Sequence, residues 1–176
     1  MRYKHLILVY LFFMFSNISI CQNITSRITI LQGSSVNFVF DSYSDIENGI
    51  TYEDFTEIRI YFNDTTDLGA PNPVSNGWEL DVRANSATFE PDYGVTTLPL
   101  NTMQLRTYYY STAYGPFDLG AADIEIAIWE NLKPVINVVE SIIISYDFGT
   151  VVGRKLDGYG SDFFSTDLIF TVKAKD

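Results

Sequence analysis

Histidine and cysteine are almost absent: the 176-residue chain holds one of each, His5 and Cys21. Both fall in an N-terminal stretch that reads as a removable leader, so the exported product carries neither. That excludes a Ser-His or Cys-His catalytic pair, a thiol or imidazole metal site and a structural disulfide. Basic residues are scarce too, with 11 Lys plus Arg against 22 Asp plus Glu and a formal net charge of −11. Binding nucleic acid requires clustered Lys and Arg, so this balance excludes a nucleic-acid partner. Beyond the leader, no apolar run approaches the roughly 18 residues of a membrane helix, so no membrane span is expected. Helical periodicity is missing as well; the best attempt, 131–140, is interrupted by Pro134. What the chain does have is apolar content of 47%, too much for a disordered polymer.

The first 21 residues, MRYKHLILVYLFFMFSNISIC, have the layout of a secretory signal peptide. Arg2 and Lys4 precede an apolar run from Leu6 to Phe15 that is too short to span a bilayer, and small Ser19 and Cys21 flank a cut before Gln22. Lipidation at Cys21 is the rival chemistry, although Ile20 stands where lipoprotein signals carry a small residue. Cleavage leaves 22–176, more acidic by two further charges because the leader contains Arg2 and Lys4 but no carboxylate. A chain of about 150 residues is normally one domain and buries about 68–70% of its unfolded surface, enough to fold without disulfides. The expected location is outside the cell or on its surface, with the periplasm as the alternative.

Alternation with period two organises the rest. Val36, Phe38 and Phe40 share one side of Ser35–Phe40, and Ile58, Ile60 and Phe62 share one side of Glu57–Phe62. Trp78, Leu80, Val82 and Ala84 alternate strictly with Glu79, Asp81 and Arg83; the segments Asp123–Ile128 and Thr166–Lys175 repeat the scheme. Successive strand side chains point to opposite faces, so each run presents one apolar and one wet face. Weaker strands are expected at 24–31, 86–90, 103–110 and 141–147, the last buried on both sides. Asn48-Gly49, Pro71-Asn72-Pro73, Asn76-Gly77, Tyr93-Gly94 and Gly115-Pro116 punctuate them as turns. About eight or nine short one-sided strands predict an all-β domain, two antiparallel sheets packed as an Ig-like sandwich, with a closed barrel as runner-up. Trp78 is expected to plug the core.

Three clusters are candidates for function. Tyr108, Tyr110 and Tyr114 lie in the most aromatic stretch, where exposed rings would serve sugar stacking or protein contact at low entropy cost. Asp41, Asp45 and Glu47 occupy a turn-rich loop whose carboxylates suit a calcium ion, though their spacing is not that of an EF-hand. Asp123, Glu125 and Glu130 are the nearest approach to a hydrolase carboxylate pair, which needs about 5–5.5 Å between carboxyls for retaining chemistry. No cofactor is expected. Both ends of the exported chain are strand-forming, which opens self-assembly through a shared terminal strand; terminal strands paired within their own domain are the simpler outcome.

Three segments resemble secreted β-sandwich domains of the WxL-like and pilin-like kind: Gly77–Ala84, Leu98-Pro99-Leu100, and Gly158-Tyr159 followed by Asp167–Val172. Trp78-Glu79-Leu80 is similar to a first Trp-x-Leu motif, and Phe170-Thr171-Val172 stands where the second would be. Phe replaces Trp and Val replaces Leu there, so the resemblance does not extend to cell-wall binding of the WxL type. It implies a non-catalytic role at the cell surface and transfers no catalytic residue. The resulting expectation is a non-enzymatic structural, fimbria-like or adhesive subunit with a protein partner at its strand edges. A carbohydrate-binding module using the tyrosines, with a structural calcium ion, is the alternative.

Overall fold

The computed structural model describes residues 24–40, 42–64, 77–130, 137–159 and 163–175. The leader, Asp41 and Pro134 lie outside them. The described residues form β1 (Ile24–Gln32), a short helix α1 (Tyr43–Asn48), β2 (Ile50–Asp64), β3 (Gly77–Ala84), β4 (Thr88–Pro91) and β5 (Leu98–Pro99). A single 3-10 turn, Leu100–Thr102, leads into β6 (Met103–Tyr109) and β7 (Thr112–Asp118), then β8 (Ile124–Glu130) and β9 (Val138–Phe148). The last two strands are β10 (Phe164–Ser165) and β11 (Leu168–Lys175). The protein is all-β. Its strands build one five-stranded sheet in the order β1-β2-β9-β6-β7, a three-stranded sheet β11-β3-β8, and a small one, β10-β4-β5. Every paired neighbour is antiparallel.

The alternating runs explain where the core sits. Ile58, Ile60 and Phe62 of β2, Ile142 and Ile144 of β9, and Trp78, Leu80 and Val82 of β3 are all fully buried in one cluster. Trp78 therefore occupies the core as its strand position predicts. The segments that resemble Trp-x-Leu motifs are ladder neighbours, with Phe170 opposite Val82 and Val172 opposite Leu80. Within the chain β1 pairs with β2, and β11 pairs with β3 along Leu168–Lys175. Strand β9 is central in its sheet, and its second face is covered in part: Val139 and Ser141 are exposed, Ile143 and Asp147 half-buried and Ser145 buried. Its β-branched run reflects position in the sheet, not full burial on both sides.

Two expectations are corrected. Ser35–Phe40 forms no strand: its alternation holds, with Val36, Phe38 and Phe40 half-buried against the core, but it pairs with no other strand. Periodicity reports which side chains bury and is silent about a hydrogen-bond partner. The loop after it winds into α1, closed by a capping box in which Asp45 N–H donates to Ser42 Oγ (3.1 Å) and Ser42 N–H donates to Asp45 Oδ2 (3.2 Å).

The two larger sheets meet along two seams. At the first, β7 lies near β8 and the sheets are bonded together: Ala84 N–H donates to the Gly120 carbonyl (2.8 Å) and Leu119 N–H to that of Met103 (3.0 Å). The Thr107 hydroxyl of β6 also donates to the Ile126 carbonyl of β8. Strand register explains that bond. Leu80 faces Ala127 while Asp81 faces Glu125, so Ile126 is the extra residue of a bulge and its carbonyl takes a side-chain donor from the opposite sheet. At the second seam β1 runs beside β11 with no ladder between them, and no hydrogen bond joins 24–40 to 164–175.

Candidate functional site

The second seam opens into a cavity of about 550 Å³ walled by residues 33–40 on one side and 163–168 with Phe170 on the other. Gly33 sends the chain there. Its φ is +66°, and a Cβ at this position would lie 2.3 Å from the Phe55 carbonyl oxygen, so only glycine makes this turn out of β1. The following segment bends at Ser34-Ser35 and then alternates half-buried and exposed side chains from Val36 to Phe40, and side chains anchor it. Thr56 Oγ1 donates to the Gly33 carbonyl (2.8 Å), the Tyr146 hydroxyl donates to that Thr56 oxygen (3.0 Å), and the Tyr52 hydroxyl donates to the Asn37 carbonyl (2.9 Å). Burial pushes the Tyr146 phenol up, which keeps it a neutral donor.

Aromatic rings form the floor. Phe38 stacks on Phe148 with 4.8 Å between centroids and on Tyr52 at 4.9 Å, while Phe89 meets Phe148 edge-on at 5.2 Å. Such pairs add about 0.5–1.5 kcal/mol each beyond their burial. At the rim, Val39 is 60% exposed and Phe163 68% exposed. Asp92 and Asp167 are the charged residues of the lining, which contains no Lys or Arg. The backbone of 34–40 makes no backbone–backbone hydrogen bond, and β11 is paired on its β3 side alone. Backbone without a ladder partner therefore borders the apolar trough at 36–40, and across from it β10 and β11 each pair on one edge alone, with the Phe163 and Asp167 carbonyls accepting from Asp92 and Asn85 N–H. That arrangement can hold an extended chain.

The residues singled out from sequence are distributed elsewhere. Tyr108 is exposed on β6, whereas Tyr114 is half-buried and packs against the core. Tyr110 is 66% exposed at the tip of the β6–β7 hairpin, where its hydroxyl donates to Glu140 Oε1 (2.9 Å) and its ring lies edge-on to Tyr109 at 4.7 Å. The hydrogen bond to Glu140 pushes the Tyr110 phenol up. The three rings thus do not line one common platform. Asp45 spends its carboxylate on the α1 capping box, Glu47 is exposed on the same helix, and Asp41 lies outside the described residues.

Asp123, Glu125 and Glu130 lie at the outer side of the three-stranded sheet. Asp123 pairs with Arg83 (3.4 Å) and Lys173 (3.3 Å), and Glu130 pairs with Lys175 (2.7 Å). Lys173 also donates to the buried carboxylate of Asp81, the leading cause of its raised ammonium pKa. Glu79 sits among these groups with its carboxyl above the usual range, first from partial burial and then from the charges of Asp81 and Glu125. None of the three named acids lines the seam cavity. On the outer face of the five-stranded sheet, Arg106 Nε and Nη2 clamp both oxygens of Asp147 (2.7 and 3.1 Å), and Nη2 reaches Glu53 (2.8 Å). That last hydrogen bond holds the Glu53 carboxyl below the usual range.

No protein-family model matches this chain, and no curated protein matches its sequence.

The trough escaped the reading of the sequence because six separate stretches build it, around residues 30–40, 56, 89–92, 103, 146–148 and 163–170. The one local signal was an alternating run, Val36-Phe38-Phe40, directly after Gly33-Ser34-Ser35.

Proposed function

We propose that this chain is an exported, non-enzymatic surface protein, a structural, fimbria-like or adhesive subunit that acts by contact at strand edges and not by chemistry. The observation that carries this reading is the open seam, where backbone with no ladder partner at 36–40 and the one-sided edges of β10 and β11 flank an apolar trough. An edge left unpaired is the ordinary site of strand addition, and natural proteins blunt edges they do not use. An immunoglobulin-like two-sheet sandwich is the architecture this reading assumes. In support, a five-stranded and a three-stranded antiparallel sheet contribute to one core. Export rests on the leader-like layout of residues 1–21 and the acidic balance of the remainder. The distant likeness of Trp78-Glu79-Leu80 to secreted β-sandwich motifs agrees with it. Carbohydrate binding by the tyrosine cluster finds less support, since Tyr114 packs against the core and Tyr110 is bonded to Glu140.

Surface location is the test. An epitope inserted beside Val152, which sits in an exposed loop, should be reached by antibody on intact cells expressing the full chain. Deleting residues 2–15 should abolish that signal. Retention of the intact protein in the cytoplasm would overturn the reading. So would hydrolysis of a polysaccharide that disappears in Glu125→Gln or Glu130→Gln.

A further inference from the structure

We infer that the open seam is a peptide-binding groove whose occupant is an extended segment of a different protein, apolar at alternate positions and carrying no net negative charge. This inference rests on the strand-edge reading and names its site and its partner.

Four observations converge on that occupant. The walls offer backbone: residues 36–40, whose side chains alternate between half-buried and exposed, make no backbone–backbone hydrogen bond, and on the opposite wall Phe164–Ser165 pairs with β4 and Leu168–Phe170 with β3, each on one edge alone. A chain laid between them gains main-chain hydrogen bonds from donors and acceptors already held in place, so little ordering is needed on the receptor side. The floor is apolar and aromatic, with Phe38, Phe89 and Phe148 in ring contact, which rewards large side chains on the inward side of a strand. Because strand side chains alternate, such a floor selects apolar groups at every second position. Outward positions then lie near the rim, where Val39 and Phe163 are exposed.

Charge fixes the sign of the partner. Asp92 and Asp167 line the groove and no Lys or Arg does, so an acidic peptide would meet unneutralised carboxylates while a basic one is attracted. The same chain is an unsuitable donor. Its two terminal strands are consumed at home, β1 in its ladder with β2 and β11 in its ladder with β3. Inserting either one into a neighbour would first break those pairings. With the first and last strands of the described residues already paired, the occupant assigned to the groove is a segment of another protein.

Fluorescence anisotropy with three labelled nonapeptides tests this on the purified protein. The first alternates valine with threonine and lysine, the second has glutamate for every lysine, and the third has proline at alternate positions. The basic peptide should bind, the acidic one at least about tenfold more weakly, equivalent to about 1.4 kcal/mol, and the proline-interrupted one not at all. Val39→Lys, at an exposed rim position, should weaken the basic peptide at least about fivefold with the fold intact by circular dichroism. Asp167→Lys should shift preference toward the acidic peptide. Absence of binding at millimolar peptide, or binding indifferent to both substitutions, would overturn the groove.

Sedimentation of the protein alone completes the test. A concentration-dependent dimer lost in Val39→Lys would overturn the assignment to a foreign partner in favour of a second copy. The two readings fail separately. Peptide binding by a protein retained in the cytoplasm leaves the groove and removes the surface role; surface display without peptide binding does the reverse.

Discussion

The two seams of this molecule join the same pair of sheets and differ in what crosses them. At the β7–β8 seam the Thr107 hydroxyl bonds across to β8, backbone hydrogen bonds tie the connection at Leu119-Gly120 to β6 and β3, and Leu119 is buried in that connection. At the β1–β11 seam no hydrogen bond joins residues 24–40 to 164–175, and the space widens into the aromatic trough. Connection length accounts for part of this. The chain passes from β7 to β8 through residues 119–123, too few to let the strands separate. β1 and β11 are the first and last strands of the described chain, and no short loop holds their edges together. A short connection therefore makes a sealed edge, and strands remote in sequence make one that can remain open.

The difference is one of stability, and substitutions can break it. Leu119→Ala removes a buried side chain from the sealed seam and should cost about 2–5 kcal/mol in urea unfolding. Val39→Ser, at the open seam and largely exposed, should cost less than about 0.5 kcal/mol. Equal losses would mean the seams are energetically alike. Next in size is Thr107→Val, which keeps the shape of the side chain but deprives the Ile126 carbonyl of its donor. Leaving that bulge carbonyl unpaired should cost about 1–3 kcal/mol, read as a lower urea midpoint at unchanged m-value. A smaller effect of the opposite sign is expected at the hairpin beside the sealed seam. Tyr110 and Ser111 both have positive φ, +48° and +62°, in a two-residue turn of the kind that favours Asn-Gly. Ser111→Gly should relieve one of these and gain about 0.5–1 kcal/mol, measured as a higher thermal midpoint.

The same contrast explains what could be read in advance. Strict alternation located β3, β8 and β11 and the core position of Trp78, because burial on one face is a local property of a strand. The weaker run at 103–110 is β6, while Gly115-Pro116, which reads as a turn, lies inside strand β7, and the hairpin tip is formed by Tyr110-Ser111 and not by a glycine pair. Helix α1 is six residues long, too short for helical periodicity to register; its signature is the Ser42 and Asp45 capping box. Ser35–Phe40 shows the limit most clearly. Its apolar face was legible and does pack on the core, but whether a strand finds a ladder partner depends on chain more than a hundred residues away, at β10 and β11. The trough, as the joint product of those distant stretches, left no pattern in any one of them.

Carboxylates on the two sides of this comparison are displaced in opposite directions, which gives the finest test. Beside the sealed seam, hydrogen bonds from Arg154 and then Gln104 hold the Asp118 carboxyl below its usual range. Its contribution to stability is present above the unfolded-state pKa, near 3.9, and is lost as pH falls through the lower folded value. On β3, whose other neighbour is β11, partial burial and then the charges of Asp81 and Glu125 raise the Glu79 carboxyl. In that case the folded state binds the proton more tightly, so stability falls as pH rises from the unfolded value, near 4.3, through the higher folded one. At neutral pH one group therefore stabilises and the other destabilises. Glu79→Gln should raise the thermal midpoint at pH 7 by an amount worth less than about 1 kcal/mol, and the gain should vanish once pH drops below the unfolded glutamate value. Asp118→Asn should lower the midpoint at pH 7 and converge on the parent protein only in stronger acid. Thermal scans of the three proteins from pH 2 to 8 at low salt would separate these curves, and a Glu79→Gln protein less stable than its parent at pH 7 would mean that Lys173 and Lys175 outweigh the burial and the acidic neighbours of that side chain.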